Sequence, residues 1–241
     1  MDPSWESSAP RPLGPVEVHV WRASLASPQL GIDDDARLLT GEEEDRANSF
    51  RSTTDAARFI VARATLRRFL GEYLAEPPER VVIEGTAPEK PYVARSPGVP
   101  DVRFNIAHAG PLGLFAFAVG RELGVDCELR SSRGTIEGAL SKAATPAEQQ
   151  TLDGMPPERR AEEALRLWTR KEAILKGMGT GLRTPPESLE IGVAATVSRP
   201  QLVTAEGRPW TLFDLPGLPD AYGSLALEGQ GALAPKLFLR K

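Results

Sequence analysis

Over residues 16–21 apolar and polar side chains alternate, which predicts a half-buried strand with His19 on its polar, surface side. Thr40 and Glu43 have capping-box spacing and open a short acidic helix over about 42–49. From 54 to 74, Phe59, Ile60, Leu66, Phe69, Leu70 and Tyr73 recur at helical spacing, and Pro77-Pro78 ends the run. Residues 81–83 read as a strand, and 102–107 and 112–119 as a pair joined by a turn at Ala109-Gly110-Pro111. A strand over 123–129 follows. Thr145-Pro146-Ala147-Glu148 then starts a helix, with a second capping box and proline at the first position. A long helix over 157–178 ends at Gly179 and Gly181, and short strands are predicted around 189–193, 210–215 and 222–227.

Each half therefore runs strand, long helix, strands, with a break near Gly120. The pattern predicts an α+β fold of two similar lobes, a pseudo-dimer in which each long helix packs on a small, mostly antiparallel sheet. The lobes would be 16–120 and 121–241, preceded by a Pro- and Ser-rich flexible tail over 1–15 whose one large apolar residue is Trp5.

Composition narrows the function. The chain has 241 residues, enough for a sizeable core without staples. A net charge of -4 gives no whole-molecule basic field for nucleic acid or anionic membrane, so phosphate binding would need local Lys and Arg. A single cysteine, Cys127, excludes an intramolecular disulfide and suits a reducing cytoplasm. No run of about 20 apolar residues predicts a spanning helix, and the N-terminus lacks the order of a signal peptide.

The chemistry gathers in two segments. In Gly124-Val125-Asp126-Cys127-Glu128 the two carboxylates share one strand face, with Cα atoms roughly 6.5–7 Å apart, close enough to share one small cation. An ordinary solvated strand face would carry the same pair. In Trp168-Thr169-Arg170-Lys171-Glu172, Glu172 continues the apolar stripe Ala161, Leu165, Trp168, Leu175. A carboxylate buried there needs a partner, either a metal ion or Lys176 one turn along. Hard oxygen donors suit Mg²⁺, which takes one or two carboxylates plus phosphate oxygens, and no His/Cys set exists for zinc. His108, in Phe104-Asn105-Ile106-Ala107-His108, ends a strand before a turn, where either a structural or a functional histidine can stand. Arg58, Arg63, Arg67 and Arg68 on the first long helix and Arg170, Lys171 and Lys176 on the second could answer phosphates or face solvent. There is no phosphate-binding glycine loop, dinucleotide fingerprint or nucleophile elbow.

These segments, with Lys90-Pro91 and the run from Lys176 through Gly179 and Gly181 to Leu182, occur in the order found in one family. The chain resembles the larger, Sfp-like phosphopantetheinyl transferases over roughly residues 40–182. The resemblance implies a Mg²⁺-dependent enzyme that moves 4′-phosphopantetheine from coenzyme A (CoA) to a serine of an apo acyl or peptidyl carrier protein, releasing 3′,5′-ADP. It implies Asp126, Glu128 and Glu172 as metal ligands, and Lys176 and His108 as catalytic residues contacting CoA phosphates; Glu172, directly or through a metal-bound water, is the catalytic candidate for taking the serine proton. Lys90 and Arg46 would be nucleotide-side contacts, and Lys171 would fix the motif. The enzyme would act as a cytoplasmic monomer on secondary-metabolism carriers, with one site in the cleft between lobes. One departure stands out: the family has Ser before the histidine and often after it, where this chain has Ala107 and Ala109. That departure keeps a CoA-binding module with little turnover as one alternative; a Mg²⁺-dependent CoA pyrophosphate hydrolase, using water in place of serine, is a second.

Overall fold

The computed structural model describes residues 5–6, 12–26, 31–85, 89–94, 98–132, 143–193, 200–231 and 234–240. The chain is α+β. A first sheet contains β1 (Val18–Ser24), β4 (Val102–Ala109), β5 (Leu112–Val119) and β10 (Lys236–Leu239) in the order β10-β1-β5-β4. A second sheet contains β6 (Leu123–Leu129), β7 (Gln201–Ala205), β8 (Arg208–Asp214) and β9 (Ala221–Glu228) in the order β6-β9-β8-β7. A two-stranded ribbon, β2 (Ile83–Glu84) and β3 (Tyr92–Val93), stands apart. Among the described residues the longer helical elements are α1 (Ile32–Ala36), α2 (Gly41–Asn48), α3 (Thr53–Leu74), α4 (Pro146–Asp153) and α5 (Pro157–Met178).

Side-chain parity explains the layering. On β5, Leu112, Leu114, Ala116 and Ala118 enter a core shared by the two sheets, while Phe115 and Phe117 pack under α3. On β6, Leu123, Val125 and Cys127 enter the same inter-sheet core. The other face of β6 therefore turns to α5, and Trp210, Leu212, Ile174 and Leu175 build a third cluster there. The layers run α3, first sheet, second sheet, α5. Strands buried on both faces read as nearly continuous apolar runs, as Leu112–Val119 does.

Double-sided burial also overturns the surface assignment of His19. Its ring is fully buried beneath α3, between the Tyr73 hydroxyl at 2.9 Å and Glu17 at 3.3 Å. The Trp21 indole N–H donates to Tyr73 Oη at 2.7 Å, so the same hydroxyl joins Trp21 and His19 Nδ1. The tail is likewise not loose where it is described. Trp5 is buried in the inter-sheet core and donates to the Pro216 carbonyl at 2.7 Å, and Glu6 pairs with Phe238. The rest of 1–11 lies outside the described residues.

Both capping boxes form, at Thr40/Glu43 and Thr145/Glu148. Two strand predictions shift. Residues 189–193 carry no strand, because the Ile191 and Gly192 amides donate to the Glu148 carboxylate instead of a ladder. Residues 81–83 give only Ile83–Glu84. Strands β7 and β10 were not anticipated. The latter returns from the second half to lie parallel to β1, a pairing that crosses the division at Gly120. Among the described residues no helix is long and apolar enough to cross a membrane.

Three arginines of α3 serve the fold, while Arg58 pairs with Asp55 on its own helix. Arg63 and Arg67 hold Glu43 of α2 at 2.7 and 2.9 Å, and Arg68 holds Asp35 of α1 at 2.5 Å. Burial opposes ionisation of Glu43, but the Thr40 amide and the two guanidinium groups outweigh it and keep the carboxyl below its ordinary value. A depressed carboxyl stabilises the fold above its unfolded pKa and loses that contribution as pH falls through the folded value. Glu43→Gln is therefore expected to cost about 1–3 kcal/mol at neutral pH. In urea titrations that gap should close progressively below pH 4.5.

Candidate active site

Gly124 sets the geometry of the site. A Cβ at this position would lie 2.0 Å from the Ala173 carbonyl oxygen and 2.3 Å from the Gly177 amide nitrogen. Strand β6 and helix α5 thus touch backbone to backbone, which only glycine permits. Asp126 and Glu128 share the Gly124 face of β6, so they project along α5 toward Glu172 and Lys176. Asn105 fixes the other wall: its Oδ1 accepts the Val125 amide at 2.9 Å and ties β4 to β6. His108 ends β4 on the face that carries Phe104 and Ile106.

The result is a cleft of about 410 Å³ lined by His108, Asp126, Glu128, Trp168, Glu172 and Lys176, with Phe59 and Arg63 of α3 opposite. All three candidate metal ligands, with Lys176 and His108, line this one cleft. Lys176 donates to Asp126 Oδ1 at 2.6 Å, while Asp126 Oδ2 is buried with no hydrogen-bond partner. Burial raises the Asp126 carboxyl above its usual range, and Lys176 offsets this only in part. Burial and the Asp126 charge also raise Glu128, against a hydrogen bond from the Trp168 side chain. Glu172 is raised by burial and then by Asp126. Burial alone would lower Lys176, but the Asp126 carboxylate holds it above the ordinary lysine value. His108 stands exposed at the mouth, yet desolvation by the walls and the Lys176 charge lower its imidazole, keeping it neutral near pH 7.

Burial raises all three carboxylates and the Asp126 charge raises both glutamates further, so the site is short of positive charge, and a buried orphan oxygen needs a partner. In chemistry the donor set fits a hard divalent cation. In position it is not yet closed: among the described residues, no three His, Cys, Asp or Glu side chains are gathered tightly enough to hold a metal ion. The Lys176 ammonium supplies a positive charge there, 2.6 Å from Asp126 Oδ1.

The remaining predicted residues are less central. Arg46 is exposed on α2 and lies over the Phe50 ring at 5.2 Å. Lys90 sits beside a second recess of about 290 Å³, with Pro91, Tyr92, Arg103 and Gly179. Lys171 is wholly buried, paired with Glu148 at 2.5 Å and donating to the Ala143 and Pro186 carbonyls, so it does anchor the motif. Arg170 forks onto Asp214 at 2.9 and 2.6 Å. The alanines around His108 also find an explanation. Ala107 and Ala109 belong to the apolar inter-sheet core, where added hydroxyls would meet few partners.

Asn105, Gly124 and Gly177 carried no expected role, and Glu148 was expected only as a helix cap. A glycine inside a strand pattern facing another inside a helix pattern was the available signal of close approach.

A cleft of this construction, acids and a lysine where β6 and α5 meet the end of β4, suits group transfer from an anionic substrate. The chain is a member of the 4′-phosphopantetheinyl transferase superfamily, whose family profile matches residues 122–222, while the profile "4′-phosphopantetheinyl transferase, N-terminal" matches 27–119. It is 32% identical to the 4′-phosphopantetheinyl transferase HetI of Nostoc sp. over 216 residues, covering 89% of each chain. Similarity extends to the 4′-phosphopantetheinyl transferase of Bacillus subtilis, 26% identical over 67% of this chain and 71% of that one. It also extends to the human L-aminoadipate-semialdehyde dehydrogenase-phosphopantetheinyl transferase, 27% identical over 72% of this chain and 58% of that one.

Proposed function

We propose that this cleft transfers the 4′-phosphopantetheine group of coenzyme A to a serine of an apo acyl or peptidyl carrier protein, releasing 3′,5′-ADP. The observation that carries the reading is the convergence of Asp126, Glu128, Glu172 and Lys176 on one recess, with Asp126 Oδ2 buried and unpartnered. The two 22-residue helices, each laid over a four-stranded sheet, support a pseudo-dimer of similar lobes over 16–120 and 121–241 with the site between them.

In this reading the serine hydroxyl oxygen bonds to the β-phosphorus of CoA. The bond from that phosphorus to the bridging oxygen breaks, and 3′,5′-ADP leaves with the oxygen. Glu172 takes the serine proton; its raised carboxyl is suited to hold one. The Lys176 ammonium leaves Asp126 Oδ1 to face the phosphoryl oxygens as negative charge grows there. Neutral His108 donates to a CoA phosphate at the cleft mouth, and Arg46 serves the nucleotide side. Mg²⁺ held by Asp126, Glu128 and Glu172 would neutralise pyrophosphate charge and align the reacting groups. The enzyme acts as a monomer in the cytoplasm.

Incubation with CoA, Mg²⁺ and a panel of apo carrier proteins is expected to add one phosphopantetheinyl mass to at least one carrier, with matching 3′,5′-ADP. Intact mass spectrometry reads the product. If no carrier changes where an established transferase modifies it, the assignment falls; 3′,5′-ADP formed without a carrier would point to hydrolysis instead.

A further inference from the structure

Glu122 precedes β6, and its carboxylate collects two cations from the first half of the chain. Oε2 accepts Lys90 Nζ at 2.6 Å and Oε1 accepts Arg103 Nη1 at 2.5 Å. Arg103 in turn is held by Asp101 at 2.9 Å. The Lys90 ammonium has two further acceptors, the Leu123 carbonyl at 2.9 Å and the Gly177 carbonyl at 3.1 Å. An ammonium has three donors, so all of them are engaged by protein.

The placement of those acceptors matters. Leu123 starts β6 and Gly177 lies in the last turn of α5, at the point where Gly124 lets the two backbones touch. Asp126 is three residues beyond Leu123, and Lys176 adjoins Gly177. One ammonium therefore joins the 89–94 segment, the strand that carries two site carboxylates and the helix that carries Glu172 and Lys176. The Lys90 stem is confined as well, since a Cβ on Gly179 would come within 3.3 Å of the Lys90 Cβ.

We infer that Lys90, Glu122 and Arg103 form a clamp that sets the spacing of β6 and α5, making Lys90 a positioning residue rather than a ligand contact. The inference rests on the transferase reading for its catalytic consequence. Burial pushes the Lys90 ammonium below the ordinary lysine value and Glu122 opposes that shift, so its charge depends on its clamp partner. A lysine kept for phosphate would be expected to carry an unused donor. This one has none.

The test uses the full chain with Lys90→Met, Glu122→Gln and the double substitution. Each variant is followed by urea unfolding, by calorimetric titration with CoA and with 3′-dephospho-CoA, and by carrier modification. As a clamp, each single change lowers kcat at least about tenfold, through displaced acids. Kd for CoA and the CoA-over-dephospho-CoA preference stay within about twofold, and the double variant is no worse than the poorer single one. The inference is overturned if Lys90→Met weakens CoA and erases the preference for the 3′-phosphate while Glu122→Gln leaves binding intact or tighter. Additive losses of stability would overturn it too. If the unaltered protein neither binds CoA nor modifies a carrier, the transferase reading has failed by itself. The unfolding comparison then decides the clamp alone, with coupled losses supporting it and additive ones refuting it.

Discussion

Glu172→Gln is expected to lower kcat by about 10²–10⁴-fold, the usual contribution of a positioned proton acceptor. The substitution keeps the size and hydrogen-bonding outline of the side chain but can no longer accept a proton from serine. It also removes a negative charge that raises Glu128. Binding of the polyanionic CoA should therefore not weaken; in titrations Kd is expected within about threefold of the parent protein. A loss confined to kcat at saturating Mg²⁺ separates chemistry from binding. Should the variant keep most of its turnover, Glu172 is not the proton acceptor. A collapse of CoA affinity alongside kcat would instead make the glutamate mainly part of the metal and pyrophosphate site.

Much of the site could be read from the chain because it depends on local spacing. Alternation on β6 placed Asp126 and Glu128 on one face, and helical spacing placed Glu172 one turn before Lys176; both relations survive in the folded cleft. The α+β class and both long helices followed from the same periodicities, sharpened by capping boxes that fix where helices begin. What was not legible depends on distant pairing. His19 looked exposed because alternation signals burial on one face only, whereas β1 lies between α3 and the second sheet. The return of β10 to β1 joins residues more than 200 positions apart, and nothing in Lys236–Leu239 announces it. The basic residues divide for the same reason. Arg67, Arg170 and Lys171 looked like phosphate ligands or solvated faces, but Glu43, Asp214 and Glu148, each distant in sequence, take them inward. A cation's role is set by which acid reaches it, and that is a tertiary fact.

Gly124→Ala is expected to have the largest effect of any change outside the charged residues. The new methyl would sit 2.0 Å from the Ala173 carbonyl oxygen, 2.3 Å from the Gly177 nitrogen and 2.9 Å from its Cα. All three are backbone atoms of α5, so no rotamer change can make room; the strand and the helix must separate. Overpacking of this kind typically costs about 1–3 kcal/mol and sometimes more. The catalytic loss should exceed the loss of stability, because separation moves Asp126 and Glu128 away from Glu172 and Lys176. Misplacement by about 1 Å is enough for a 10²-fold fall in rate. Gly177→Ala provides the companion measurement. Its methyl meets the Trp210 ring at 2.6 Å, a side chain held between α5 and the second sheet, so the same interface opens from the opposite side. Both variants should lose turnover more steeply than thermal stability. A folded Gly124→Ala protein with parental kcat would mean that the close approach of β6 and α5 does not set the active geometry.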